Sequence, residues 1–404
     1  MSANPKKRIL VLVGAGASVD FGIPHTRGLT EALEREMEDD HYCVQVGGVE
    51  AYRWVKAKLE EYYKAEPGEA HFERVYHALH ELAAMKLHDG AVAKYRPVLH
   101  PFLRPEHTLT NDALSAAART MLRAIYKIVS MSSATPKRSL APLTAFIEGL
   151  QLNAVPRIYT TNYDDLFSQA FPGFFTGFTH KKDGYSLFSP RDYWTKWESP
   201  GLFHLHGSVH FGFPLGQPKR DPDVGIGDLA WYDNKEEAIK HAHGGGSGRS
   251  RLDGTQVETS AIITGLDKLG RLQQSPFLSY YGGLTREVNE ADLIVVLGSG
   301  LGDLHLNTCI LQARRGKLPT PIVYVGWWKK DDLREAITWE PSDQAVAMVQ
   351  DLRIDLSRDG QMQYDVYPGW SINTDSRAAV YAGGFYKFLE DPTTYSKVLE
   401  KIGA

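Results

Sequence analysis

Short aliphatic runs that end in small or polar turns alternate along this chain with long stretches of helical spacing. The first run, Ile9–Val13, is five consecutive aliphatic residues and reads as a strand buried on both faces of a parallel sheet. Leu293–Leu297 repeats that theme, and Pro321–Gly326 adds a further strand of the parallel type. Ile158–Thr161 is a shorter strand by β-propensity and runs into a helix start at Asp164 or Asp165. Helical spacing appears over Leu29–Met37, Ala51–Tyr63, His71–Leu87 and Asp112–Val129, broken by Pro67-Gly68, Asp89-Gly90 and the Pro101–Pro105 stretch. This predicts a helical insertion over about 38–140, between the first strand and the rest of the sheet. Pro142–Leu150 reads as another helix, and Leu266–Arg286 is amphipathic.

The region at about 217–255 is rich in Gly, Pro, Asp and charge and reads as a flexible surface loop, with His241 and His243 solvated. After Trp328 come strand-like Leu352–Leu356 and Tyr364–Tyr367, then an aromatic helix over Tyr381–Leu389. The expected class is α/β: a Rossmann-like parallel sheet with helices on both faces over residues 1–330, followed by a small accessory or assembly region over 331–404.

Composition narrows the chemistry. A net charge of -4 over 404 residues provides no global basic field, so direct nucleic-acid binding is not expected. The two cysteines, Cys43 and Cys309, can form neither a disulfide framework nor a four-cysteine zinc site, and so low a count suits a reducing compartment. Lys6-Lys7-Arg8 before the first aliphatic run superficially resembles a secretion signal, but the run is short and enters a glycine turn directly. No stretch approaches the ~18 apolar residues that span a membrane. A soluble, cytoplasmic protein is expected.

Candidate chemistry gathers at strand ends. The first strand passes into Gly14-Ala15-Gly16-Ala17-Ser18, where backbone N–H groups and a helix start can cradle a diphosphate. The spacing is not G-x-G-x-x-G, and a tight strand-to-helix turn without ligand gives the same pattern. Thr161-Asn162-Tyr163-Asp164 follows the second strand. Helix capping explains one such residue but not the set. His204, His206 and His210 share one side if the strand from Phe203 continues past Gly207. An H-x-H zinc pair there lacks a third ligand in register, and a single histidine at the strand end beside Gly207-Ser208 is the better general-base candidate. Gly298-Ser299-Gly300-Leu301-Gly302-Asp303 forms a second small-residue turn, as the far wall of a nucleotide crevice requires. His71, His77 and His80 fall in one helix without the spacing of a metal site.

Four stretches in order, Gly14–Ser18 with Gly22-Ile23-Pro24 and Arg27, Thr161–Asp164, His206–Ser208, and Gly298–His305, resemble the sirtuin-like domain of bacterial NAD hydrolases of anti-phage defence. The resemblance covers about residues 8–330. Departures are the missing four-cysteine zinc ribbon, His25-Thr26 where sirtuins carry Asp-Phe, and Gly300 where serine is usual. It implies an NAD+ glycohydrolase with NAD as substrate and no zinc, with Asn162 and His206 as the catalytic asparagine and histidine. NAD-dependent deacylation and a scaffold that senses NAD or ADP-ribose are the alternatives. Gly14, Ala15, Gly16, Ala17 and Ser18 would hold the diphosphate and Arg27 would add charge to phosphate or ribose. Thr161 would join the cofactor-binding set at the strand's carboxyl end, and Asp164, in the same set, would orient Asn162 or the loop. Gly298 and Ser299 would wall the crevice, and Asp303 would bond the adenosine ribose or brace its own turn. The same resemblance implies homo-oligomers and gated activity, with partners such as HerA-like ATPases, Argonaute-like proteins or sensors of phage proteins.

Overall fold

The computed structural model describes residues 6–66, 68–85, 108–214, 229–250, 256–265, 274–328, 343–356 and 362–404. Its main sheet has eight strands. In chain order they are β1 (Lys7–Val13), β2 (Ala154–Thr160), β5 (Gly201–His204), β10 (Leu293–Leu297), β11 (Ile322–Val325), β12 (Met362–Tyr367), β13 (Trp370–Asn373) and β14 (Ala378–Tyr381), and across the sheet they run β12-β13-β14-β11-β10-β1-β2-β5. The smaller elements are a four-stranded antiparallel sheet of β3 (Phe178–Lys181), β4 (Tyr185–Phe188), β6 (Phe211–Gly212) and β7 (Ala230–Tyr232), and a hairpin of β8 (His243–Ser250) and β9 (Gln256–Ser260).

β1 lies between β10 and β2, parallel to both, with Ile9 opposite Leu293 and Val11 opposite Ile158. Its aliphatic run serves two cores because successive side chains point to opposite faces. Leu10 and Leu12 join the core under the helical insertion, whereas Ile9, Val11 and Val13 join the core that holds Leu143, Ile147 and Phe385. Both faces are covered, and the α/β class read from the sequence holds.

Among the described residues, the insertion holds helices His41–Gln45, Gly48–Tyr62, Phe72–Met85 and Asn111–Ala134, and Thr26–Glu38 leads into it. Thr110 starts the last of these by accepting a hydrogen bond from the Ala113 amide, and Leu114, Met121, Ile125 and Val129 form its buried stripe. One contact ties the insertion to the segment beyond β5, and another holds one of its helices to the helix that leads into it. The Tyr126 hydroxyl sits against the carbonyls of Val209 and Phe211, beyond β5. The Phe72 amide donates to Thr30 Oγ1 (3.0 Å), which draws the start of its helix against Thr26–Glu38.

Several local expectations change. Residues 229–250 and 256–260, inside or beside the expected loop, form β7, the helix Lys235–Lys240 and the β8–β9 hairpin; residues 215–228 and 251–255 lie outside the described set. A glycine run such as His243–Ser250 carries no side-chain periodicity, so a strand held by backbone pairing alone leaves no pattern to read. His241 is mostly buried and contacts Glu237 rather than solvent alone. Leu352–Leu356 is a non-strand segment, with Leu352, Ile354 and Leu356 buried. The aromatic tail divides between β14, which includes Tyr381, and the helix Phe385–Leu389. β14 pairs in parallel with β11, so the tail extends the same sheet, and the Tyr386 amide donates to Asp20 beside the first turn. The expected boundary near 330 falls among residues 329–342, outside the described set. Among the described residues, no helix is long and apolar enough to cross a membrane.

Candidate active site

The turns after β1 and β10 interlock. The Gly14 amide donates to the Leu297 carbonyl (2.9 Å) and the Gly16 amide to the Gly298 carbonyl (2.8 Å). A Cβ on Gly14 would lie 2.6 Å from Ser299 Cα, and one on Gly298, where φ is +59°, would lie 2.1 Å from the Ala17 nitrogen. The glycines are therefore required by backbone-on-backbone packing. The Ala17 and Ser18 amides close onto the Gly14 and Ala15 carbonyls. Four of the five amides expected to cradle a diphosphate are thus engaged within the fold, two by the turn after β10 and two by the one-turn helix Gly16–Val19 that begins inside the motif.

A cavity of about 530 Å³ opens at these strand ends. Gly14, Ala15 and Ser18 line it from the first turn, and Thr161, Asn162 and Asp164 from the loop after β2. His206, Ser299 and Asp303 complete its wall, whereas Gly16, Ala17 and Gly298 pack behind. Arg27 is not brought there: its side chain is 78% exposed and pairs with Glu31. The neighbouring Thr26 lines the cavity instead, since adjacent residues at a helix start point about 100° apart. The sequence also missed a wall made by Glu69, His71, Phe72, Glu73 and Arg74 at the start of an insertion helix. No local signal marked them, because only tertiary packing brings that helix start over the strand ends.

Asn162 is buried and oriented. Its amide nitrogen donates to the Gly14 carbonyl (3.0 Å) and to Ser18 Oγ (2.9 Å). That pairing assigns the amide's orientation, so the side-chain carbonyl oxygen is what Asn162 can offer a ligand, rather than both donor and acceptor. Ser18 in turn donates to Asp164 Oδ2 (2.7 Å). Burial raises the Asp164 carboxyl to about 6, against the lowering effect of the bonds from Ser18 and the Leu166 amide.

The three histidines diverge. β5 ends at His204, and Gly207 (φ +99°) turns the chain where a Cβ would lie 2.3 Å from the Ala261 carbonyl oxygen. The imagined shared face therefore does not form. His204 is buried with Nδ1 3.1 Å from the Asn162 backbone oxygen, and burial lowers it to about 4. His210 stacks on Trp231 and contacts Asp165 (3.2 Å). Burial alone would raise Asp165, but the bond from His210 and the charge of Lys235 hold it well below the usual carboxylate range. His206 alone of the three lines the cavity; it is buried, with Nε2 3.9 Å from Asp303 Oδ2.

Among the described residues, His206, Asp303 and His305 form one group whose donor atoms lie within 4.8 Å of one another, a set that could take a cation. The Tyr281 hydroxyl lies 3.0 Å from His305 Nε2. Cys43 and Cys309 are both free thiols.

No curated protein matches this sequence. One solved structure, described as the structural basis for the mechanism and regulation of Sir2 enzymes, aligns over 98% of this chain and 92% of its own, at 14% identity and a TM-score of 0.37. Sir2Tm bound to a propionylated peptide aligns over 80% and 83%, at 13% identity and a TM-score of 0.30. A Sir2 homologue in complex with ADP-ribose aligns over 79% and 80%, at 16% identity and a TM-score of 0.30. Residues 156–340, which include Asn162, His206 and the second glycine turn, match the family model of the SIR2-like domain.

Proposed function

We propose that this chain is an NAD+ glycohydrolase that releases nicotinamide and ADP-ribose. The observation that carries the reading is the convergence of Asn162 and His206 on one cavity beside the Gly14 turn. The cavity also has room for a dinucleotide backbone. Gly300 and Gly302 line it, and a Cβ on either would enter open space. A bare backbone there suits the close approach of phosphate and ribose.

Nicotinamide leaves NAD+ as a neutral molecule from a cationic ring, so the leaving group needs no proton. Catalysis then consists of holding the ribose, supporting an oxocarbenium-like state and directing a nucleophile. Asn162, fixed through its nitrogen, accepts from a ribose hydroxyl through its oxygen. His206 takes a proton from a ribose hydroxyl or from the nucleophile. Glu73, Asp164 and Asp303 add carboxyl groups to a lining in which Glu69 is paired with Arg74, and they favour the positively charged nicotinamide ring.

A freely active enzyme of this kind would exhaust the NAD of its own cell, so the reading includes gated activity, homo-oligomers and a defence partner such as a HerA-like ATPase. The test is nicotinamide release from NAD+ by the full-length chain, alone and purified with its bound partners. No release in either preparation ends the reading. Release that Asn162→Ala leaves unchanged removes the site assignment. Stoichiometric O-acyl-ADP-ribose from an acyl-peptide would favour deacylation instead. Tight binding with NAD recovered intact would favour a sensor.

A further inference from the structure

We propose that Asp303 is a catalytic residue which, with His206, seats and deprotonates the water that attacks the ribose. The inference rests on the hydrolase reading above and names the base that reading leaves open.

The first observation is what Asp303 does not do. It occupies the N-cap position of the helix Leu304–Arg314, where aspartate is among the preferred residues because its carboxylate bonds the exposed amides. Here its side chain makes no capping bond. It lines the cavity instead, with Oδ2 3.9 Å from His206 Nε2. Capping of its own helix is therefore not its role. The adenosine ribose is also excluded under the hydrolase reading: a carboxylate beside His206 stands at the nicotinamide ribose, with the whole diphosphate between it and the adenosine.

The second observation is the distance. A gap of 3.9 Å is too long for a direct hydrogen bond and suits two polar groups that share one water. Asp303 is the more open of the two, with 21% of its side chain exposed against 3% for His206. A nucleophile can therefore enter on the Asp303 side while His206 holds it from below.

The step balances without any further reactant. The water oxygen forms a bond to the anomeric carbon as the bond from that carbon to the pyridinium nitrogen breaks. The electron pair of the broken bond neutralises the ring, and nicotinamide leaves uncharged. The water proton passes to the Asp303 carboxylate, then to bulk solvent.

The test uses the full-length wild type, Asp303→Ala and Asp303→Asn, alone and purified with their bound partners. Nicotinamide release is measured with and without sodium azide, and ADP-ribose binding by calorimetry. Azide is a nucleophile that needs no deprotonation. Loss of the base should slow hydrolysis by about 100-fold or more, a typical value for removing a general base. ADP-ribose affinity should stay within about 3-fold, and azide should restore nicotinamide release in Asp303→Ala with ADP-ribosyl azide as product. Wild-type release that Asp303→Ala matches within about 3-fold overturns the inference and leaves the hydrolase reading intact. So does slow release that azide does not rescue while ADP-ribose still binds. Activity abolished by chelator and restored by zinc also overturns it, since a cation on His206, Asp303 and His305 would then supply the hydroxide. A wild type that releases no nicotinamide in either preparation overturns the hydrolase reading, and this inference with it.

Discussion

Ser18, on the turn after the first strand, donates a 2.7 Å hydrogen bond to Asp164, on the loop after the second. The same hydroxyl oxygen accepts from Asn162, so one small side chain joins the glycine turn, the candidate catalytic amide and a buried carboxyl. Ser18→Ala leaves the Asn162 nitrogen short of one acceptor and Asp164 short of one donor. The expected cost is about 1–3 kcal/mol for the buried groups left unsatisfied. Urea unfolding checks the stability. A fall in nicotinamide release with ADP-ribose binding retained checks the effect on Asn162.

Asp164 should make stability depend on pH. Its carboxyl rises from the ordinary 3.8 to about 6 on folding, with burial as the main cause. Between those values the folded chain holds a proton that the unfolded chain releases, so this group's contribution to stability falls as pH rises from about 4 to 6. The total is on the order of 3 kcal/mol at 1.36 kcal/mol per unit. Asp164→Asn should flatten that part of the profile in urea unfolding followed from pH 4 to 7. An unchanged slope would show that Asp164 does not titrate in this way.

Two glycine substitutions should separate fold from ligand. Gly298→Ala places a methyl against the Ala17 nitrogen at a left-handed φ and should lower the melting temperature markedly. Gly300→Ala places its methyl in open space within the cavity, so the melting temperature should hold while ADP-ribose affinity falls by about 10-fold or more through steric conflict. Equal melting temperatures for both variants would contradict the interlocked-turn description.

Arg27→Ala should leave ADP-ribose affinity unchanged within about 2-fold, because an exposed arginine paired to Glu31 contributes little and does not line the cavity. A large loss on calorimetry would require the start of that helix to rearrange around the ligand.

At the opposite end of the sheet, Glu287 is fully buried between Arg8 (2.8 Å) and Arg157 (3.6 Å). Arg157 is itself fully buried between the rings of Trp197 and Phe203. Glu287→Gln removes the countercharge beside buried Arg157, while Arg8 keeps Glu198 (2.8 Å) and Glu290 (3.6 Å), and should cost about 3–5 kcal/mol in urea unfolding. A loss below about 1 kcal/mol would mean that the aromatic contacts carry the arginines without help.

Much of the fold was legible because its signals are local. Ile9–Val13 and Leu293–Leu297 are consecutive aliphatic residues that only a doubly covered strand accommodates, and helical spacing over Asp112–Val129 marks most of the helix Asn111–Ala134. The glycine hairpin at His243–Ser250 and Leu352–Leu356, which is in no described strand, were misread for opposite reasons. The first forms a strand without side-chain pattern, and the second has a strand's pattern but joins none of the described strands.

By itself the sequence determined the α/β class, the strand ends that bear chemistry, and the residues Asn162, His206 and Asp303 as candidates, since chemical type and backbone preference reside in each residue. Tertiary structure alone decided that Arg27 faces solvent, that the insertion supplies Glu69–Arg74 as a wall, that Asn162 is held by its nitrogen, and that Asp303 turns from its own helix toward His206. Those outcomes depend on distances and directions between segments far apart in the chain, and such distances arise only when the cores on both faces of the sheet pack.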